Sequence, residues 1–232
     1  MPSLFDPDDV QTTTLPAIGV EGRVEAIVAV CDQNTPEWEA LRDGIVTASA
    51  AGRLFTDEGA VRKGQTPRSY LCELIAARVM RYRQIQPASR QLDRGHVLEP
   101  DARAMYALTV GRDVLQAGFV WRDAERLCGC SPDGLLPDRG LEIKCLMEKA
   151  MIDCLLTGVV PSEYIPQVQF SMWVTGLPRW DVCLYHPDPG IPLFVQTILA
   201  DTGMHEAFAR HVPVVMTEVA AGEKRIRERA GA

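Results

Sequence analysis

The sequence predicts a single α/β domain, a mixed sheet flanked by helices. Three observations point that way. Segments with helical apolar spacing alternate along the chain with short apolar runs of strand type. The 232 residues are 47% apolar, enough for one substantial core. The stretch from Ser131 to Cys145 reads as two adjacent strands around a turn-rich gap, Pro137-Asp138-Arg139-Gly140. There is no internal repeat and no flexible interdomain linker. Residues 1–22, rich in proline, aspartate and threonine, read as an N-terminal arm, and 23–232 as the domain.

The elements follow in order. Val24 to Cys31 suits a strand. Thr35-Pro36-Glu37 starts a helix through Trp38, Leu41 and Arg42, with Thr35 as N-cap and Pro36 at the first helical position. Ser49 is placed to cap a second short helix, whose free backbone N–H groups make a natural anion site. Pro67 to Arg83 is an amphipathic packing helix, and Arg78, Arg81 and Arg83 add positive charge near its end. Asp93 to Leu108 is another, with Glu99, Ala102 and Tyr106 along one side. Pro100 disfavours helical geometry at Glu99, which predicts a kink or helix start there.

Arg112 to Arg122 reads as a strand that Asp123 ends. After the hairpin, Met147 to Leu156 is a helix. Ser162 caps a further helix from about Glu163 to Thr175, which Gly176-Leu177-Pro178 stops. Trp180 to His186 and Pro192 to Leu199 are strands. A last helix starts near Thr202 and is expected to fray in the charged tail Glu223 to Arg229.

Composition narrows the function. No apolar run approaches the ~18–20 residues of a membrane span, and the N-terminus lacks the basic and apolar regions of a signal peptide. A cytoplasmic location is expected. Seven cysteines, an odd count without Cys-X-X-Cys, argue for free thiols and against a structural zinc site. Cys128 and Cys130 would share one strand face as small core residues. The net charge of −7 opposes a protein that coats DNA non-specifically. It is compatible with an enzyme that holds nucleic acid in a localised groove and concentrates carboxylates around metal.

The hairpin carries the chemistry. Asp133 falls in its first strand and Glu142, Ile143 and Lys144 in its second. Side chains two apart on a strand share a face, so Glu142 and Lys144 point together while Ile143 enters the core. Carboxylates and a lysine held on a sheet edge are costly to desolvate unless a cation or substrate pairs with them. Hard divalent cations such as Mg²⁺ take oxygen ligands of this kind.

Pro-Asp, a short gap and Glu-X-Lys resemble the signature of the PD-(D/E)XK nucleases. Five ordered blocks between Trp38 and His186 sharpen the resemblance to the lambda exonuclease and YqaJ-type viral recombinase branch. They are Trp38-X-X-X-Arg42-X-Gly44-Ile-Val-Thr-Ala-Ser49; Gly95-X-X-X-Glu99-Pro-X-Ala102-X-X-X-Tyr106; Ser131-Pro-Asp133-Gly134-Leu135; Leu141-Glu142-Ile-Lys144-Cys145; and Tyr164-X-X-Gln167-Val-Gln169-X-X-Met172-Trp-Val-Thr175. The last is the most distinctive, because packing gives no reason to expect its pair of glutamines. Pro100 and Pro166 depart from the pattern beside two site positions, and the residues before Trp38 do not align.

The resemblance implies a restriction-endonuclease-like core and a Mg²⁺-dependent deoxyribonuclease using two ions, with Mn²⁺ as a substitute. It implies that Glu99, Asp133, Glu142 and the Ile143 carbonyl hold metal. Lys144 would activate water and stabilise charge on the phosphate, and Gln167 would complete the site. Arg42 and Ser49 would form a pocket for a 5′-phosphate, with Asp123 and Tyr164 as accessory residues. The implied reaction is 5′-to-3′ degradation at double-stranded DNA ends, leaving 3′ overhangs for a single-strand annealing protein. A homotrimeric ring is the assembly the resemblance allows.

Other readings predict different sequences or outcomes. An endonuclease or repair nuclease of the same superfamily would share the motif but cut closed DNA. Its iron–sulfur version needs a C-terminal cysteine cluster, and no cysteine follows Cys183. A non-catalytic DNA-end binding module would be expected to lose Asp133, Glu142 or Lys144, and all three are present.

Overall fold

The computed structural model describes residues 10–14, 25–80 and 90–231. Its strands form two mixed sheets rather than one. The first contains β1 (Thr12–Thr14), β2 (Ile27–Ala29), β3 (Val46–Thr47), β4 (Phe119–Trp121) and β5 (Cys128–Cys130), in the order β1-β2-β4-β5-β3. Its pairs are antiparallel except β3 with β5. The second contains β6 (Gly134–Leu136), β7 (Arg139–Cys145), β8 (Arg179–Tyr185) and β9 (Phe194–Leu199), in that order. There β7 and β8 run parallel, with an antiparallel strand on either side.

Between β5 and β6 lie only Ser131, Pro132 and Asp133. Proline has no N–H to continue a ladder. The chain passes from one sheet to the other at this point, immediately beside the motif carboxylate.

The helices are α1 (Pro36–Arg42), α2 (Ala51–Leu54), α3 (Gln65–Val79), α4 (Arg90–Val110), α5 (Glu148–Thr157), α6 (Ile165–Thr175) and α7 (Thr202–Ala230). A parallel pair cannot be joined by a tight turn. α5 and α6 make the crossover from β7 to β8. α6 is buried on nearly every side, with Val168, Phe170, Met172 and Val174 all fully enclosed. Gly176 ends it at φ +73°, a left-handed conformation that glycine adopts at little cost.

The main core gathers around α6, where the Phe170 ring lies 5.2 Å from that of Phe208 on α7. A smaller cluster, including Ala102, Tyr106, Leu141, Ile143 and Cys183, packs α4 onto the opposite face of β7 and β8. At Gly140 of β7, a Cβ would stand 2.3 Å from the Trp180 ring, so only glycine lets the strands approach there.

Several sequence expectations shift. Thr12–Thr14, expected within the arm, is an edge strand on β2; residues 1–9 and 15–24 lie outside the described residues. The strand expected from Val24 to Cys31 is limited to β2, and Val24 itself is not described. The strand expected over Arg112–Arg122 contracts to β4, with one isolated bridge between Leu115 and Leu135 alongside β6. Around Leu115 only Val114 and Ala117 turn inward, while Arg112, Asp113, Leu115 and Gln116 stay exposed, too little burial to hold a long strand.

The tail is helical to Ala230 instead of fraying. Arg227 pairs with Glu223 one turn back at 2.9 Å and also donates to the Arg78 carbonyl of α3 at 2.9 Å. Arg81 and Arg83 lie outside the described residues. Pro100 sits inside α4, ten residues beyond its start, so Glu99 does not open a helix. Its missing N–H deprives the His96 carbonyl of the usual helical donor. Pro166 is benign, because the first N–H groups of a helix lack internal partners in any case. Ser162 opens a 3-10 turn, Ser162–Tyr164, and makes no cap bond.

Candidate active site

The hairpin brings its charged residues together at the end of β7. Asp133 lies one residue before β6, and its amide donates to the Leu141 carbonyl at 3.1 Å. Its carboxylate accepts from the Ile143 amide at 2.6 Å. Glu142 and Lys144 share a face as their spacing requires, with Lys144 Nζ 2.7 Å from Glu142 Oε1. Ile143 turns into the smaller core.

Gln167 of α6 closes this group. Its Nε2 donates to Glu142 Oε1 at 2.6 Å, and its Oε1 accepts from Lys144 Nζ at 3.1 Å. Glu142 is 3% exposed, so these partners replace the water it has lost.

Glu99 arrives from α4. Arg103, one turn further on, donates to the Glu99 carboxylate, and its Nε donates to the Asp133 carbonyl at 2.6 Å. One guanidinium therefore ties the helix carboxylate to the loop that carries Asp133. Tyr164 presents its ring 5.1 Å from Lys144 Nζ. Glu99, Asp133, Glu142, Ile143, Lys144 and Tyr164 all line one open cleft of about 570 Å³.

Electrostatics match this crowding. Burial pushes the Asp133 carboxyl well above its usual range, and the charges of Glu142 and Glu99 push it the same way. For Lys144, burial acts downward, but Glu142 and Asp133 outweigh it and hold the ammonium in its charged form.

Oxygen donors of this kind suit a hard divalent cation. Among the described residues, however, no three His, Cys, Asp or Glu side chains converge closely enough to ligate one ion. Arg103 and Lys144 pair with two of the three carboxylates instead.

A second cleft of about 410 Å³ adjoins the first. The Arg42 guanidinium lies 3.9 Å above the Trp38 ring and donates to Ser49 Oγ at 3.3 Å. Ser49 also lies 3.3 Å from Thr47 Oγ1. It is not a helix cap: Ala50 precedes α2, and Ser49 falls inside the 3-10 turn Ala48–Ala50. Its hydroxyl is committed to Arg42 and Thr47 rather than to a backbone N–H.

The same cleft wall fixes the approach to Asp133. Trp38 Nε1 donates to the Gly118 carbonyl at 3.0 Å and to Ser131 Oγ at 2.9 Å. Gln33 Nε2 donates to the Pro132 carbonyl at 2.9 Å. Three residues line both clefts: His96, Glu99 and Asp133. Asp123 lines neither, and accepts from the Glu125 amide at 3.1 Å in a local turn.

A family model for the YqaJ-like viral recombinase domain matches residues 37–178, the span that holds every one of these side chains except Gln33. The chain belongs to the YqaJ-like viral recombinase family. It is similar to the crystal structure of an alkaline exonuclease, LHK-Exo, from Laribacter hongkongensis, at 30% identity and TM-score 0.75 over 85% of this chain and 98% of that one. The LHK-Exo complex with dAMP matches equally well, at 31% identity. A phage-related exonuclease from Haemophilus somnus 129PT shares the fold at 14% identity and TM-score 0.59, over 80% of this chain and 96% of that one. Among curated proteins, none matches significantly. The fold is thus the lambda-exonuclease-like form of PD-(D/E)XK, its mixed sheet divided in two. Among the described residues, no helix is long and apolar enough to cross a membrane.

Within this YqaJ-like site, sequence reasoning overlooked Arg103 and Gln33. Arg103 had a signal, since an arginine four residues after a glutamate on a helix shares its face. Gln33 had none, because its partners lie 84 and 99 residues away. The second glutamine of the fifth block has a structural reason after all. Gln169 is 3% exposed, donates to the Leu199 carbonyl at 2.8 Å and accepts from the Asp201 amide at 2.9 Å. It pins β9 and the start of α7 to α6.

Proposed function

We propose that this chain is a metal-dependent DNA exonuclease that hydrolyses one strand of duplex DNA from a 5′ end and leaves a 3′ single strand. The observation that carries the reading is the junction of two clefts. One is lined by Glu99, Asp133, Glu142 and Lys144, and the other by Arg42 and Ser49. Membership of the YqaJ-like family and likeness to an alkaline exonuclease support it.

In this reading Glu99, Asp133, Glu142 and the Ile143 carbonyl would hold a pair of Mg²⁺ ions, with Mn²⁺ as a substitute, once Glu99 and Glu142 turn from Arg103 and Lys144 toward the metal. Metal held by these residues would supply charge relief at the phosphate and a water acidic enough to attack at neutral pH. Lys144 directs its ammonium at the attacked phosphate, and Gln167 fixes its rotamer. Arg42 and Ser49 grip the terminal 5′-phosphate. Arg42 is oriented by the Trp38 ring beneath it, and guanidinium suits phosphate by geometry and charge. The 3′ strand left behind suits a single-strand annealing protein, and a homotrimer enclosing the duplex would keep the enzyme on its substrate.

The test is degradation of linear duplex DNA with Mg²⁺, comparing 5′-phosphorylated and 5′-hydroxyl ends with a closed circle. Loss of the 5′-phosphorylated linear substrate alone is expected, abolished by EDTA and by Asp133→Ala. Cutting of the closed circle would make the enzyme an endonuclease. Failure to cut either would end the nuclease reading.

A further inference from the structure

We infer that His96 is a substrate-contacting residue, whose imidazole donates to a DNA phosphate as the strand crosses between the two clefts. The inference rests on the nuclease reading above and assigns a role to a position that the second motif block, Gly95-X-X-X-Glu99, leaves unspecified.

The clefts share only three lining residues among those described, and two of them, Glu99 and Asp133, are carboxylates. A phosphodiester passing this junction meets like charge. His96 is the third, one helical turn before Glu99 on α4, and it is exposed. The other cationic side chains of the metal cleft are already engaged. Arg94 donates to the Cys145 and Leu146 carbonyls at 2.9 and 3.2 Å. Lys144 is held by Glu142 and Gln167.

A histidine can supply this contact without a change of charge state. The neutral ring carries one N–H and the imidazolium carries two, and either donates to a non-bridging phosphate oxygen. Substrate position rather than chemical rate should therefore depend on it.

The experiment measures KM and kcat of wild type, His96→Ala and His96→Gln on a 5′-phosphorylated duplex. It is repeated on duplexes with a neutral methylphosphonate at each of the first three linkages. His96→Ala should raise KM about tenfold, the scale of one hydrogen bond to a charged acceptor, and change kcat by less than about twofold. His96→Gln, which keeps a donor, should recover part of the loss. At one linkage, the methylphosphonate should weaken wild type by several fold more than it weakens His96→Ala. Unchanged KM in both variants, or equal penalties at every linkage, would overturn the inference while wild-type activity leaves the nuclease reading standing. If wild type degrades no DNA, both fall.

Discussion

Tyr106→Phe should destabilise the fold through one buried hydroxyl. Asp181 on β8 is 1% exposed and is held by three partners. Tyr106 Oη donates to its Oδ2 at 2.6 Å, Arg139 to the same oxygen at 3.1 Å, and Thr197 Oγ1 to Oδ1 at 2.6 Å. Tyr106 is fully buried, and burial together with the Asp181 charge keeps its phenol protonated. A buried hydrogen bond to a charged acceptor is worth about 1.5–3 kcal/mol. Asp181 keeps its other two partners in the variant and the Phe ring fills the same site, so about 1.5–2 kcal/mol is expected.

Asp181→Ala should cost more, about 2–4 kcal/mol, because it leaves the Tyr106 and Thr197 hydroxyls without their acceptor and Arg139, whose buried Nε already lacks a partner, with Asp138 alone. Adding Tyr106→Phe to Asp181→Ala should then cost under about 0.5 kcal/mol, since the partner is gone. Urea unfolding of the four proteins at pH 7.5 measures the cycle, with unchanged m-values required for the comparison. Additive losses, or a Tyr106→Phe effect below about 0.5 kcal/mol, would refute the view that this network anchors α4 to the second sheet.

Lys144→Ala should lower kcat on duplex ends by about 10²–10⁴-fold while leaving end binding in Ca²⁺ intact; equal losses in both would make Lys144 a binding residue only. Gly140→Ala should lower stability by about 1–3 kcal/mol, because its Cβ meets the Trp180 ring at 2.3 Å and that ring is fully buried. A variant as stable as wild type in urea would show that Trp180 has room to move. Burial depresses the His205 pKa, and Arg122 adds to this against the opposing Gln169 backbone bond and Asp201. The unfolded chain then takes up the proton first, so stability is full above about pH 6.5 and falls as pH drops below it, by at most about 1.4 kcal/mol per pH unit. His205→Gln should flatten that slope between about pH 6.5 and 5 in urea midpoints, and an unchanged slope would assign it to other groups.

Local chemistry made much of the site legible. Thr35 accepts from the Trp38 amide at 3.2 Å, the cap its sequence context announces. The two-residue period of a strand places Glu142 beside Lys144 and sends Ile143 inward, with no tertiary information needed. Ser49 is not the helix cap its context suggests, because a helix start and a 3-10 turn look alike over three residues, while its partner Arg42 is seven residues away. Gln169 and Gln33 act across 30 to 99 residues, beyond any local period. The division of the sheet depends on pairing partners, which a strand's own sequence does not encode.

The acidic chain and a polyanionic substrate are reconciled by how the cleft spends its donors. Arg103 is tied to Glu99 and the Asp133 carbonyl, Arg94 to two carbonyls, and Lys144 to Glu142 and Gln167. These contacts fix the carboxylates and their loop on α4, β7 and α6, which are packed elements rather than mobile loops. A net charge of −7 spread over the surface acts weakly across more than a Debye length, about 8 Å in physiological salt. What a strand meets inside the cleft is instead a short run of fixed dipoles and held charges. Its least committed basic side chain is His96, which makes this residue, and not the overall charge, the informative place to perturb DNA entry.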